Sequence, residues 1–188
     1  MGSSVRVYCL VGVGGCGKTT LIRAVLSKLS GFEYISMDTV IRSLVGPQFS
    51  DFSHFPDEVK KQFRSRAIMY MREETERFRN KLIVEDHATL YNPNTRRIER
   101  VLPEEASFLY TDIVLHSVEP TVVLQRRRSD RMVKRTLDLD FIKREISIEE
   151  SEARRYADVG GMDFHVLRDH GGMEAAQLLL RLLQGYSI

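Results

Sequence analysis

Short apolar runs alternate along this chain with longer stretches of helical periodicity. VRVYCLV (5–11) is rich in β-branched residues and ends against glycine, the pattern of a buried strand. In KTTLIRAVLSKLSG (18–31), Leu21, Ile22, Val25, Leu26 and Leu29 fall on one helical face and Gly31 is the stop. FEYISM (32–37) reads as a second strand with Asp38 at its end, and a long amphipathic stretch runs from Pro56 to about Lys81. LIVEDH (82–87) and DIVLHS (112–117) read as the third and fourth strands. EPTVVLQRRRSD then opens a helix with Ser117 or Glu119 near its cap and Pro120 in the first turn, where a missing N–H costs nothing. DFIKREISIEESEARRYADVGG (140–161) is a further helix with a glycine stop, DFHVLRD (163–169) a fifth strand and MEAAQLLLRLLQ (173–184) a closing helix.

This alternation predicts an α/β fold: right-handed βαβ units in a three-layer αβα sandwich around a central parallel sheet of about five strands. In such sheets ligands bind beyond the carboxyl ends of the strands. Gly12–Thr19, Asp38, Glu85–His87 and Ser117–Arg128 all follow predicted strand ends, so they should converge. The chain has 188 residues and neither repeats nor low-complexity tracts, which fits one domain over 1–188. A net charge of +2 gives no bulk case for nucleic-acid or membrane binding. Cys9 and Cys16 lie in neither a C-x-x-C nor a Cys/His pattern, which argues against a disulfide framework or a zinc site. The first apolar run is too short to span a bilayer, and a cytoplasmic location is expected.

GVGGCGKTT (12–20) carries the first chemistry. Gly12-x-x-x-x-Gly17-Lys18-Thr19 matches the Walker A pattern, after a strand and before a helix, as the motif requires. The loop from Gly12 through Gly14, Gly15, Cys16 and Gly17 would wrap backbone N–H groups around phosphate oxygens, aided by the dipole of the helix that opens at Lys18. Lys18 is expected between the β- and γ-phosphates, Thr19 on Mg²⁺ and Thr20 beside the nucleotide, which makes ATP-Mg²⁺ the expected donor. The fold expectation thereby narrows to a P-loop NTPase.

The segment EDHATL (85–90), the prolines Pro93 and Pro103, and RRRSDRMVKRTLD with Arg126, Arg127, Asp130, Arg135, Leu137 and Asp138 resemble the archaeal-type adenylate kinases, which are P-loop nucleoside-monophosphate kinases. The resemblance covers nearly the full length, with IEE (148–150) and the glycine near 160 also in register. It implies transfer of the γ-phosphate of ATP to AMP under a helical lid at about 126–140, with Glu85 on the metal and an acceptor region at about 38–80. A homotrimer would follow from the family alone. Independently of the resemblance, Arg127, Arg131 and Arg135 are spaced i, i+4, i+8, so a helix would present them as one stripe. Arginine forks suit the equatorial oxygens of a transferring phosphoryl group, and a lid keeps water from taking the phosphate. Arg127 and Arg135 are therefore candidate catalytic residues, with Arg126 and Arg127 also on the nucleotide.

The acceptor half departs from that pattern. The family's glycine-threonine pair after the second strand is Asp38-Thr39 here, and GPQFSDFSHFPDE (46–58) holds no arginine or lysine. Arg42, Arg64 and Arg66 are the remaining cations for an anionic acceptor. Asp38 also resembles the base of P-loop kinases that phosphorylate hydroxyls, where a carboxylate after the second strand accepts the proton. A plain helix N-cap fits the same position. Three functions follow: a nucleoside-monophosphate kinase, a kinase of a hydroxyl acceptor (nucleoside, polynucleotide or small metabolite) with Asp38 as base, and an ATP-dependent assembly factor or switch with weak hydrolysis.

Overall fold

A computed structural model describes residues 6–77, 81–131, 133–170 and 174–187. Val5 of the first predicted strand, the end of the long amphipathic stretch before Lys81 and Met173 of the closing helix lie outside the described residues. Five parallel strands, β1 (Val7–Val11), β2 (Phe32–Ser36), β3 (Lys81–Glu85), β6 (Asp112–Val118) and β7 (Asp163–Asp169), form a sheet in the order β2-β3-β1-β6-β7. This is the P-loop NTPase architecture expected from the alternation of periods.

Strand β1 is buried along its whole length because its two faces serve two helical layers. Val7, Cys9 and Val11 point to the layer of α2 (Met37–Val45), α3 (Asp57–Arg77) and α5 (Leu139–Gly160), where Val40, Ile68, Met71 and Tyr156 pack against them. Tyr8 and Leu10 point to α1 (Lys18–Leu26) and α6 (Glu174–Leu183) and meet Ile22, Val25, Leu179 and Leu183. The continuous apolar run of β1 is thus the period-2 pattern of both layers superimposed. At the edge away from the strand carboxyl ends, buried Asp112 is held by Arg6 at 2.9 Å, His165 at 3.0 Å and the Thr111 hydroxyl at 2.7 Å.

Three local details differ from the sequence-based expectation. Strand β2 ends at Ser36, whose hydroxyl accepts from Thr39 N at 3.4 Å, so Ser36 is the N-cap of α2 and Asp38 lies inside its first turn. The N-cap reading of Asp38 is therefore corrected: a serine two residues earlier already caps the helix. Second, α4 (Pro120–Ser129) stops before Asp130, and the segment to Asp138 is irregular. Asp138 is the N-cap of α5, accepting from Asp140 N at 2.8 Å and Phe141 N at 3.0 Å, which starts a new helix instead of prolonging the old one. The single helical stripe of Arg127, Arg131 and Arg135 does not form; the arginines come from the end of α4 and the connection behind it. Third, a hairpin of β4 (Thr89–Asn92) and β5 (Arg97–Arg100) follows β3, turned by Asn-Pro-Asn-Thr with Arg96 at φ 56°. The Asn92-Pro93 step favours such a turn. Between α2 and α3, residues Gly46–His54 form a 3₁₀ segment. Among the described residues no helix is long and apolar enough to cross a membrane.

Candidate active site

The loop between β1 and α1 is built on close approach. A Cβ on Gly12 would lie 2.8 Å from the His116 carbonyl oxygen of the neighbouring strand β6, so only glycine fits there. Gly17 sits at φ 97° as the N-cap of α1, a left-handed conformation that leaves the first N–H groups of the helix facing outward. Cys16 is buried beneath the loop, where burial pushes its thiol up, so it fills space as a small apolar side chain.

Lys18 is 5% exposed and donates to the Gly12 carbonyl at 2.6 Å. Its ammonium lies 3.4 and 3.5 Å from the two ring nitrogens of His87. Burial, then the charge of Lys18, holds His87 well below its usual range, so the ring is neutral. Thr19 donates its hydroxyl to Glu85 at 2.7 Å, and the Tyr34 hydroxyl donates to the other oxygen of the same carboxylate. A hydroxyl and a carboxylate, both oxygen donors, suit Mg²⁺, and Thr19 with Glu85 would hold it. The chemistry supplied there is neutralisation of charge on the β- and γ-phosphate oxygens.

The arginines wrap the same loop. Arg126 donates to the Cys16 carbonyl and, at 3.2 Å, to Asp169 at the end of β7. Arg127 is 4% exposed; its Nε donates to Gly14 O at 2.9 Å, and Nη1 reaches Thr136 O at 3.3 Å and Glu145 at 2.8 Å. Arg135 lies over Gly14 and pairs with Asp130 at 2.6 Å. Arg126 and Arg135 line a cavity of about 560 Å³ with Gly14, Gly17, Lys18, Thr19, Thr20 and Glu85. That volume lies within the range of small-molecule sites. Arg127 instead ties the P-loop to α5 from beneath.

A second cavity opens on the other side of His87, which lines both. Its walls include Asp38, Arg64, Asp86 and the phenylalanines Phe49 and Phe52 of the 3₁₀ segment. Asp38 is exposed and pairs with Arg42 at 3.3 Å, one turn along α2. Asp86 accepts from His87 N at 2.8 Å, and burial pushes its carboxyl up to about 7 against the opposing charges of Arg64 and Lys18. Arg64 makes no hydrogen bond or ion pair among the described residues, and burial lowers its pKa. Arg66, the other cation considered, is exposed and stacks on Phe63 outside this cavity.

Two residues that sequence reasoning left out complete the site. Glu149, 1% exposed on α5, accepts from Ala88 N at 2.9 Å, Thr89 N at 2.7 Å and Thr89 Oγ1 at 2.5 Å, holding the loop that carries Asp86 and His87. Glu145, one turn earlier, is the partner of Arg127. Their i, i+4 spacing was the available signal, but it is indistinguishable from a solvated acidic face without the partners.

The sheet order, the glycine loop and the convergence of residues at the strand carboxyl ends define a P-loop nucleotide-binding protein. A family model described as an AAA domain, AAA_17, matches residues 11–141, and the chain belongs to that family. No curated protein matches the sequence significantly. The fold is similar to shikimate kinase from Bacteroides thetaiotaomicron, at 22% identity and TM-score 0.58 over 96% of this chain and 98% of that one. Shikimate kinase from Acinetobacter baumannii in complex with shikimate is similar at 20% identity and TM-score 0.60, over 96% and 94% of the two chains. A gluconokinase from Sinorhizobium meliloti 1021 follows at 14% identity and TM-score 0.53, over 96% and 95%.

Proposed function

We propose that this protein is an ATP-dependent phosphotransferase that phosphorylates a hydroxyl group of a small molecule. One observation carries the reading: two cavities meet at His87, and the one beyond the P-loop is lined by two carboxyl groups, Asp38 and Asp86, and by Arg64, which makes no hydrogen bond or ion pair among the described residues. A phosphate dianion would meet repulsion from Asp38, and from Asp86 as it ionises, against attraction from one guanidinium. A neutral hydroxyl needs the reverse, an acceptor for its proton. The names of the similar structures agree, since shikimate and gluconate are hydroxy acids.

In the proposed reaction the P-loop amides and Lys18 hold the β- and γ-phosphates, and Arg126 and Arg135 close over them. Thr19 and Glu85 would hold Mg²⁺, which would offset negative charge on the phosphate oxygens. The acceptor oxygen, positioned on the Arg64 side, attacks the γ-phosphorus as the bond to the β-phosphate oxygen breaks and ADP leaves. The hydroxyl proton passes to Asp38. Nothing need be protonated at His87, whose half-buried, neutral ring lines both cavities.

A nucleoside-monophosphate kinase is the second reading, favoured by Arg64 as a grip for an acceptor phosphate. The test is ADP formation from ATP-Mg²⁺ with AMP, other nucleoside monophosphates, hydroxy acids, nucleosides, a polynucleotide with a free hydroxyl end, and no acceptor. Lys18→Ala should abolish turnover with every acceptor. Turnover with an alcohol that falls at least about a hundredfold in Asp38→Asn supports the proposal, a loss typical of removing a general base. Fast turnover with AMP that survives Asp38→Asn would sink it, and slow ADP release indifferent to all acceptors would indicate an ATP-dependent switch or assembly factor.

A further inference from the structure

The walls of the second cavity differ in kind from its floor. Phe49 and Phe52 stack nearly parallel, with ring centroids 5.9 Å apart and 8° between planes. They are braced from behind: Phe52 meets Phe55 and Phe63 edge-on at 5.7 and 6.0 Å, and the Arg42 guanidinium lies 4.1 Å from the Phe49 ring centre. Facing them from the hairpin side are Leu90, a large apolar side chain left 42% exposed, and Val101. These four side chains continue into an adjoining cavity of about 220 Å³ that shares Asp38 and Arg64.

Polar groups lie around this wall and not on it: Asp38, Arg64 and Asp86 toward His87, and Lys60, Asn92 and Glu99 in the outer part. One Asp38 oxygen bonds Arg42, and one Asp86 oxygen accepts from His87 N. In the outer part, the Asn92 amide nitrogen donates to Asp57 at 3.1 Å and Glu99 at 2.7 Å, its oxygen accepts from Asn94 N at 2.9 Å, and Glu99 also takes the Thr95 hydroxyl. A hydroxyl laid against Phe49, Phe52, Leu90 and Val101 would find no partner there, at a cost of about 1–3 kcal/mol. A flat ring loses nothing of the kind and gains both burial and aromatic contact.

We infer that the acceptor is an alcohol carried on a flat, largely apolar ring system, with the ring against the Phe49–Phe52 wall and the hydroxyl directed toward Asp38. The inference rests on the hydroxyl-acceptor reading for the fate of the hydroxyl, but not for the recognition of the ring. Benzyl alcohol is the probe for this class, and nucleosides, whose flat base carries a polyhydroxylated sugar, test recognition of the ring; shikimate and gluconate are the polyhydroxylated comparisons without an aromatic ring.

The experiment pairs calorimetric binding of each alcohol in the absence of ATP with ADP formation in its presence, for the wild type, Phe49→Ala and Phe49→Leu. The leucine variant keeps the apolar volume, and with it the packing of the wall, while removing the flat face. Expected are Kd values for ring alcohols at least about tenfold below those of the polyols. In both variants ring affinity should fall by at least about tenfold, equivalent to about 1.4 kcal/mol, with unchanged affinity for ATP. Equal or tighter binding of the polyols, no binding of any ring alcohol, or ring affinity indifferent to both Phe49 variants would overturn the inference. The two readings fail separately. Phe49-dependent binding of nucleosides with transfer only to nucleoside monophosphates would end the hydroxyl reading and support the ring inference. Transfer to polyols without ring preference would do the opposite.

Discussion

Glu149 is the residue through which α5 holds the loop behind β3, and its replacement has a calculable cost. Its carboxylate is buried and accepts three hydrogen bonds, from Ala88 N, Thr89 N and the Thr89 hydroxyl, at 2.9, 2.7 and 2.5 Å. In Glu149→Ala the threonine hydroxyl can rotate to another partner, but the two backbone N–H groups cannot. Each orphaned buried donor costs about 1–3 kcal/mol, and the truncated side chain leaves a cavity, so a loss of about 4 kcal/mol is expected. For a chain whose m-value in urea is about 2–3 kcal/mol/M, the unfolding midpoint should fall by about 1.3–2 M at unchanged m. Glu149→Gln keeps one acceptor oxygen but turns an NH₂ group toward an N–H donor, and about 2 kcal/mol should be lost. Circular dichroism during urea titration measures both. The folded fraction of Glu149→Gln should also show a KM raised more for the acceptor than for ATP, because the displaced loop carries Asp86 and His87 while Lys18 and Thr19 belong to α1 and meet that loop only through His87. A Glu149→Ala protein within about 1 kcal/mol of wild type would refute the reasoning, since the three bonds would then carry no net stability.

Three further outcomes are expected. Burial raises Asp86 from 3.8 to about 7, so the folded protein keeps a proton that the unfolded chain releases; its stabilising contribution is full below pH 4 and is lost as pH rises through 7. Asp86→Asn should therefore flatten the pH dependence of stability, gaining on the wild type between pH 4 and 8 in urea titrations at stepped pH; a parallel profile would show that Asp86 is ionised throughout. Arg127→Met leaves the half-buried Glu145 without its cation and should cost about 3 kcal/mol, most of it recovered by the double variant Arg127→Met/Glu145→Met in thermal unfolding. Gly12→Ala forces a Cβ to 2.8 Å from a backbone oxygen of β6 that cannot swing aside, and the loop must shift; ATP affinity by calorimetry should drop at least about tenfold, whereas an unchanged value would mean that the loop is more yielding than its contacts indicate.

Much of this protein is determined within local windows of its sequence. The change of period from 2 to 3.6 marks each strand and helix of the main sheet, because the side chains of a parallel α/β sheet must satisfy a layer on either side. The glycine spacing of the P-loop, with Lys18 and Thr19 at the start of a helix, is equally local, since it encodes a backbone shape that few other residues allow. Glu85 and Asp38 were legible as strand-end acids for the same reason. Tertiary structure alone decided what those acids face. Asp38 was displaced from the cap by Ser36, whose hydroxyl reaches Thr39 N, and so lies on the wall of a cavity. The arginine stripe dissolved because Asp138 caps a new helix, which sent Arg127 inward to Glu145 and left Arg126 and Arg135 over the nucleotide cavity. Glu149 and Arg64 look like ordinary charges on amphipathic helices. Their roles depend on groups far away in the chain, Thr89 for Glu149 and Asp86 for Arg64, and no periodicity records a distance that only folding creates.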